Sequence, residues 1–61
     1  MTIEEFLGKP FTAGGENVYR LYRHGEKYKL LCLAENRVYQ QEFSEKQVLH
    51  DIGPEGCWRL V

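Results

Sequence analysis

NVYRLYRHGEKYKLLCLAENRVYQQEF, residues Asn17 to Phe43, reads as three antiparallel strands joined by two tight turns. The first turn is His24-Gly25-Glu26-Lys27. Gly25 stands where a two-residue hairpin loop needs a positive φ at its first position. Counting outward from that turn pairs Arg23 with Tyr28, Tyr22 with Lys29, Leu21 with Leu30, Arg20 with Leu31, Tyr19 with Cys32 and Val18 with Leu33. Side chains alternate across a strand, so Tyr19, Leu21, Arg23, Tyr28, Leu30, Cys32 and Ala34 fall on one face, the expected core side.

The second turn centres on Glu35-Asn36. A two-residue loop there sets Cys32 opposite Tyr39, Leu30 opposite Gln41 and Tyr28 opposite Phe43, which adds Tyr39 and Phe43 to the core face. It also sets Lys29 opposite Glu42, an opposite-charge cross-strand pair that favours this register. A three-residue loop with Asn36 in the left-handed region is the competing arrangement and shifts the third strand by one residue.

The other face of the meander divides in two. Arg20, Tyr22, His24, Lys27 and Lys29 gather near the first turn, and Val18, Leu31, Leu33 and Val38 at the opposite end. A contiguous aliphatic area of this kind calls for a cover: a helix, the rest of a closed barrel, or another molecule.

At 61 residues the chain is expected to be a single small domain, 1–61, near the size at which one core only just outweighs chain entropy. With 43% hydrophobic and 13% aromatic residues it belongs with globular rather than disordered chains. The net charge is −1, which offers no strong positive field to a nucleic acid or an anionic membrane. The charge is unevenly spread. Arg20, Arg23, Lys27, Lys29 and Arg37 outnumber Glu26, Glu35 and Glu42 in the meander, whereas carboxylates dominate the stretches on either side. With no basic, apolar leader at the start and no apolar run of membrane-spanning length, a soluble cytoplasmic protein is expected. Cys32 and Cys57 are then expected to be small buried thiols rather than a disulfide.

Thr2-Ile3-Glu4-Glu5 and Ser44-Glu45-Lys46-Gln47 each match a capping box, a helix start in which the cap hydroxyl and the third helical side chain satisfy each other's backbone. The first helix carries Ile3, Phe6 and Leu7 and stops at Gly8 and Pro10. The second carries Val48, Leu49 and Ile52, runs to about Asp51 and stops at Gly53-Pro54. Phe11-Thr12-Ala13 reads as a short edge strand, Gly14-Gly15 as a turn, and Gly56 to Val61 as a last strand with Trp58 and Leu60 on one side. The expected fold is α+β: a small antiparallel β-meander sheet of three central strands plus the C-terminal strand, with two short capped helices. A small five-stranded β-barrel is the alternative.

Chemistry has little to stand on. The chain has one serine and one aspartate, Ser44 and Asp51, and Ser44 is accounted for as a helix cap. The cysteines and histidines lack the short paired spacing of a structural zinc site, so neither a metal nor a cofactor is expected. The order helix, three strands, helix resembles that of double-stranded-RNA-binding domains. That family starts its second helix with lysines against the phosphates, where this chain has Ser44-Glu45-Lys46-Gln47, so the family's function is not carried over.

The expected function is therefore not enzymatic. It is that of a protein-interaction module, a small intracellular or phage-type regulator or inhibitor that binds a larger protein or its own copy as a homodimer. The expected interface is Val18, Tyr22, Leu31, Leu33 and Val38, since tyrosine and apolar anchors suit interface centres. The alternative is a nucleic-acid-binding protein using Arg20, Tyr22, His24, Lys27 and Lys29, with a ring to stack and cations to meet phosphates. No membrane partner is expected.

Overall fold

The computed structural model describes residues 2–61 and shows an α+β domain of two helices and one open antiparallel sheet. In chain order these are α1 (Ile3–Phe6), β1 (Phe11–Ala13), β2 (Val18–His24), β3 (Lys27–Cys32), β4 (Arg37–Val38), α2 (Glu45–Ile52) and β5 (Trp58–Leu60). The strands lie in the order β4-β3-β2-β1-β5.

Both helices start as their sequences dictate. The Thr2 hydroxyl accepts from the Glu5 N–H at 3.3 Å while Glu5 Oε1 accepts from the Thr2 N–H at 3.1 Å. Ser44 and Gln47 repeat the exchange at 3.2 and 3.0 Å. A single turn such as α1 has no independent stability, so its place depends on burying Ile3 and Phe6. The Gly8 N–H also donates to the Leu21 carbonyl at 3.0 Å, tying the helix exit to the middle of β2.

The β2–β3 hairpin has the register read from Gly25, whose φ is 64°, and every pair from Tyr19–Cys32 to Arg23–Tyr28 stands as expected. The next turn differs. The loop is four residues long, Leu33 to Asn36, closed by the Asn36 N–H on the Leu33 carbonyl at 3.3 Å with Asn36 at φ 51°. Asparagine tolerates this left-handed region better than most residues. As a result Arg37, rather than Tyr39, lies opposite Cys32, and the Tyr39 N–H donates to the Leu30 carbonyl at 2.9 Å. The expected pairs Cys32–Tyr39 and Leu30–Gln41 do not form. A shift of two residues preserves the side-chain alternation, so Tyr39 still points to the core. The surplus is absorbed in Gln40 to Glu42, after which Tyr28 and Phe43 exchange backbone hydrogen bonds at 2.9 and 2.8 Å, the one pair of that register that does form.

The C-terminal strand pairs with β1, not with the meander: Phe11 opposes Leu60 and Ala13 opposes Trp58. Thus β1 is an interior strand and β5 takes the edge. Phe43 enters the core from the β4 side and Trp58 from the opposite edge, yet their rings are 5.4 Å apart. At roughly 4.8 Å per strand a flat sheet would hold those positions about 19 Å apart, so the sheet must curl around its core. It does not close: β4 and β5 share no ladder, and the barrel alternative is not realised.

The core is Ile3, Phe6, Phe11, Leu21, Tyr28, Leu30, Val48, Ile52 and Trp58. Phe11 sits at its centre, 4.8 Å from the Phe6 ring and 5.0 Å from Trp58. Cys32 is buried too, whereas Ala34 and Arg23 of the expected core face are exposed. Arg23 reaches Glu4 of α1 at 2.7 Å and lies over the Tyr28 ring, so its chain borders the core while its charge stays wet.

A Cβ at Gly56 would overlap the Asp51 backbone of α2, whereas one at Gly15 would meet nothing within 4 Å. Gly56→Ala should therefore lower the thermal midpoint by at least about 5 °C, from about 1–3 kcal/mol of overpacking, while Gly15→Ala should leave it nearly unchanged. The Thr2 backbone and hydroxyl bonds hold the Glu5 carboxyl below its ordinary value of 4.5. Lowered on folding, this group stabilises α1 above its unfolded pKa and loses that contribution as pH falls through the folded pKa. A side-chain NMR titration should find the Glu5 midpoint below 4.5 and moving back up in Thr2→Ala.

Candidate interaction surface

Because Leu21, Tyr28, Leu30 and Cys32 point into the core with both helices, the alternate residues of the same strands point the other way. Neither α1 nor α2 lies over that second face, since both bury their apolar residues in the core. All five residues expected at a protein interface are on it: Val18, Tyr22 and Leu31 half-buried by their neighbours, Leu33 38% exposed and Val38 43% exposed. The five expected for nucleic acid, Arg20, Tyr22, His24, Lys27 and Lys29, share it.

The ladder fixes their layout. One row across the sheet is Val38, Leu31 and Arg20; the next toward the hairpin is Lys29 and Tyr22, and beyond it Lys27 and His24. On the other side Leu33 meets Val18 through a 3.0 Å backbone bond, and Val18 continues to Thr12 and Arg59. Leu31, Leu33, Val18 and Val38 therefore form one aliphatic island. Arg20 and Arg59 border it on one flank, and Lys29 and Lys27 lie toward the hairpin.

Thr12 and Arg59 are additions that the meander alone does not suggest. With Trp58 and Leu60 pointing to the core, Arg59 must face away, but only the β1–β5 pairing brings it to this surface. Its guanidinium donates to the Trp58 carbonyl at 2.7 Å.

The electrostatics differ from expectation in one respect. Lys29 does not pair with Glu42. The two surplus residues before Phe43 carry that carboxylate toward the hairpin end, 3.8 Å from His24 Nε2. Among the described residues the remaining salt bridges are Arg23–Glu4 and Arg37–Glu35, so Arg20, Lys27, Lys29 and Arg59 have no carboxylate partner. None of the five strands contains an aspartate or glutamate. All nine carboxylates of the chain fall on helices, turns and loops.

On the core side, Tyr39 is the one strongly perturbed group. The neighbouring Cys32 thiol, then Tyr19, partial burial and the Glu35 carboxylate together push its phenol well above the ordinary value, so it is uncharged at neutral pH. Its hydroxyl is 3.4 Å from Glu35 Oε1 and its ring meets Tyr19 edge-on. This cluster buttresses the β4 turn. Ser44 is engaged as the α2 cap, and Cys32 and Cys57 are free thiols, the first buried and the second exposed, so Cys57 is not the buried residue expected. Among the described residues no three histidines, cysteines or carboxylates are grouped to hold a metal, and no helix is long and apolar enough to cross a membrane.

Comparison with protein-family models, with curated proteins and with solved structures finds no match to this chain.

Adjacent leucines report the two faces. Leu30 is 5% exposed in the core and Leu31 lies on the open side. Leu30→Ala should cost about 2–5 kcal/mol in denaturant unfolding and Leu31→Ala no more than about 1 kcal/mol. Equal losses would mean that the second face is covered.

Proposed function

We propose that the protein is a non-catalytic interaction module of the cytoplasm, a small regulator or inhibitor that docks on a larger protein through its open sheet face. The observation that carries this reading is the one-sided placement of the helices, which leaves Val18, Leu31, Leu33 and Val38 as a contiguous aliphatic surface around Tyr22. Such an area in water is unfavourable, and a partner that covers it regains the hydrophobic stabilisation. The free Cys32 and Cys57 thiols accord with a reducing compartment.

A second reading, nucleic-acid binding, draws on the unpaired Arg20, Lys27 and Lys29 beside Tyr22. It is the weaker of the two. Stacking on bases needs aromatic platforms, and of the four tyrosines Tyr19, Tyr28 and Tyr39 belong to the core side, leaving Tyr22 alone on the basic face.

The two readings separate in an affinity capture from lysate with and without nuclease, using Leu31→Lys on the open face and Leu49→Lys on the exposed side of α2. Protein capture that survives nuclease, is lost in Leu31→Lys and persists in Leu49→Lys is expected. Capture that vanishes with nuclease would contradict the interaction reading, as would capture indifferent to Leu31→Lys.

A further inference from the structure

The partner's chemistry is written in the charge segregation of the sheet, and we infer that the open face binds an acidic protein segment carrying an aliphatic anchor. This inference rests on the interaction reading above and specifies its occupant. The chain is nearly neutral, yet Arg20, Lys27, Lys29 and Arg59 all project from the face the helices leave bare, and no strand residue carries a compensating carboxylate. Of the nearby acids, Glu42 lies at the hairpin end beside His24, away from the Arg20 and Arg59 flank of the island. The rest of the molecule is correspondingly acidic, so the basic field is concentrated on one side rather than averaged away.

The layout of cations and apolar groups sets the ligand's character. Arg20 is directly cross-strand from Leu31, and Lys29 and Leu31 are alternate residues of β3. Such neighbours stand about 5–7 Å apart. A leucine or valine seated on the island, with carboxylates two positions away on either side in an extended segment, would meet both groups at once.

A second copy of this chain does not fit. Two open faces related by a two-fold axis would oppose the same four cations, and like-charge juxtaposition across an interface is strongly unfavourable. Nor do four aliphatic side chains and one tyrosine offer nucleotide bases a stacking surface.

The test uses the whole chain, isotope-labelled, titrated with four probes while amide NMR shifts are followed. They are an extended peptide of Glu-Ser-Leu-Ser repeats, which puts Glu and Leu on the same side of the segment, the same peptide with Gln for Glu, the same with Ser for Leu, and oligo-dT. The Glu/Leu peptide should shift Thr12, Val18, Arg20, Tyr22, Lys29, Leu31 and Arg59. It should bind at least about tenfold more tightly than either substituted peptide, and weaken as salt rises. The Arg20→Glu/Lys29→Glu double variant should lose at least about tenfold in affinity. Lys27→Glu, at an exposed hairpin position, gives a smaller loss in the same direction should the double variant fail to fold.

Equal binding of the Gln peptide on the same residues would overturn the acidic specificity while leaving the interaction reading intact. Tighter binding of oligo-dT than of the Glu/Leu peptide would overturn both. Absence of open-face shifts with every peptide would overturn the present inference, and the lysate capture would then decide the broader one.

Discussion

The structure depends on one packing event, the meeting of Phe11, Trp58 and Phe6 over the middle of the sheet. Phe11 is fully buried with the Phe6 and Trp58 rings about 5 Å away, and these three residues come from β1, β5 and α1. None of those elements is long enough to persist alone: two are three-residue strands and the third a single helical turn. The aromatic cluster holds both chain ends on the meander, with β5 fastened by the β1 ladder and by the Val61 N–H on the Pro10 carbonyl at 3.1 Å. A chain of this length is stable by only about 3–9 kcal/mol, so a few large rings decide whether it folds.

The same cluster decides what is left uncovered. With Ile3, Phe6, Val48 and Ile52 all committed to the concave side, neither helix remains to cover the other side of the sheet. The aliphatic island and the unpaired cations are thus consequences of packing both helices on one side of the sheet. Edge protection follows the same economy. β4 has two residues, β5 has three, and Arg59 satisfies the Trp58 carbonyl with its own guanidinium, so neither edge is a long template for further strand pairing.

Much of the fold is legible in local sequence. Gly25 dictates the first hairpin, and the paired Thr2/Glu5 and Ser44/Gln47 side chains mark both helix starts, because each signal acts over four residues or fewer. The alternation of Leu21, Tyr28, Leu30 and Cys32 identifies the core face. The failures are of two physical kinds. At Leu33 to Asn36 the loop length rests on whether Asn36 adopts φ 51° and on the small energy differences between turns, and that length sets both the register of the next strand and whether Lys29 meets Glu42. The β1–β5 pairing joins residues more than forty positions apart, and no local pattern in Phe11-Thr12-Ala13 announces that it is flanked on both sides. The candidate surface was legible as far as the meander reached. Val18, Tyr22, Leu31, Leu33 and Val38 share a face, but Arg59 joined them only through that long-range ladder.

The central claim is that this second face is open in the isolated protein. Methyl relaxation with a neutral, freely diffusing paramagnetic probe measures that directly, at concentrations low enough for a monomer. The methyls of Val18, Leu31, Leu33 and Val38 should relax strongly while those of Leu21, Leu30, Val48 and Ile52 are protected. Protection of Leu31 and Leu33 to the level of Leu30 would contradict the account, because some part of the chain would then be covering the face on which the proposed function depends.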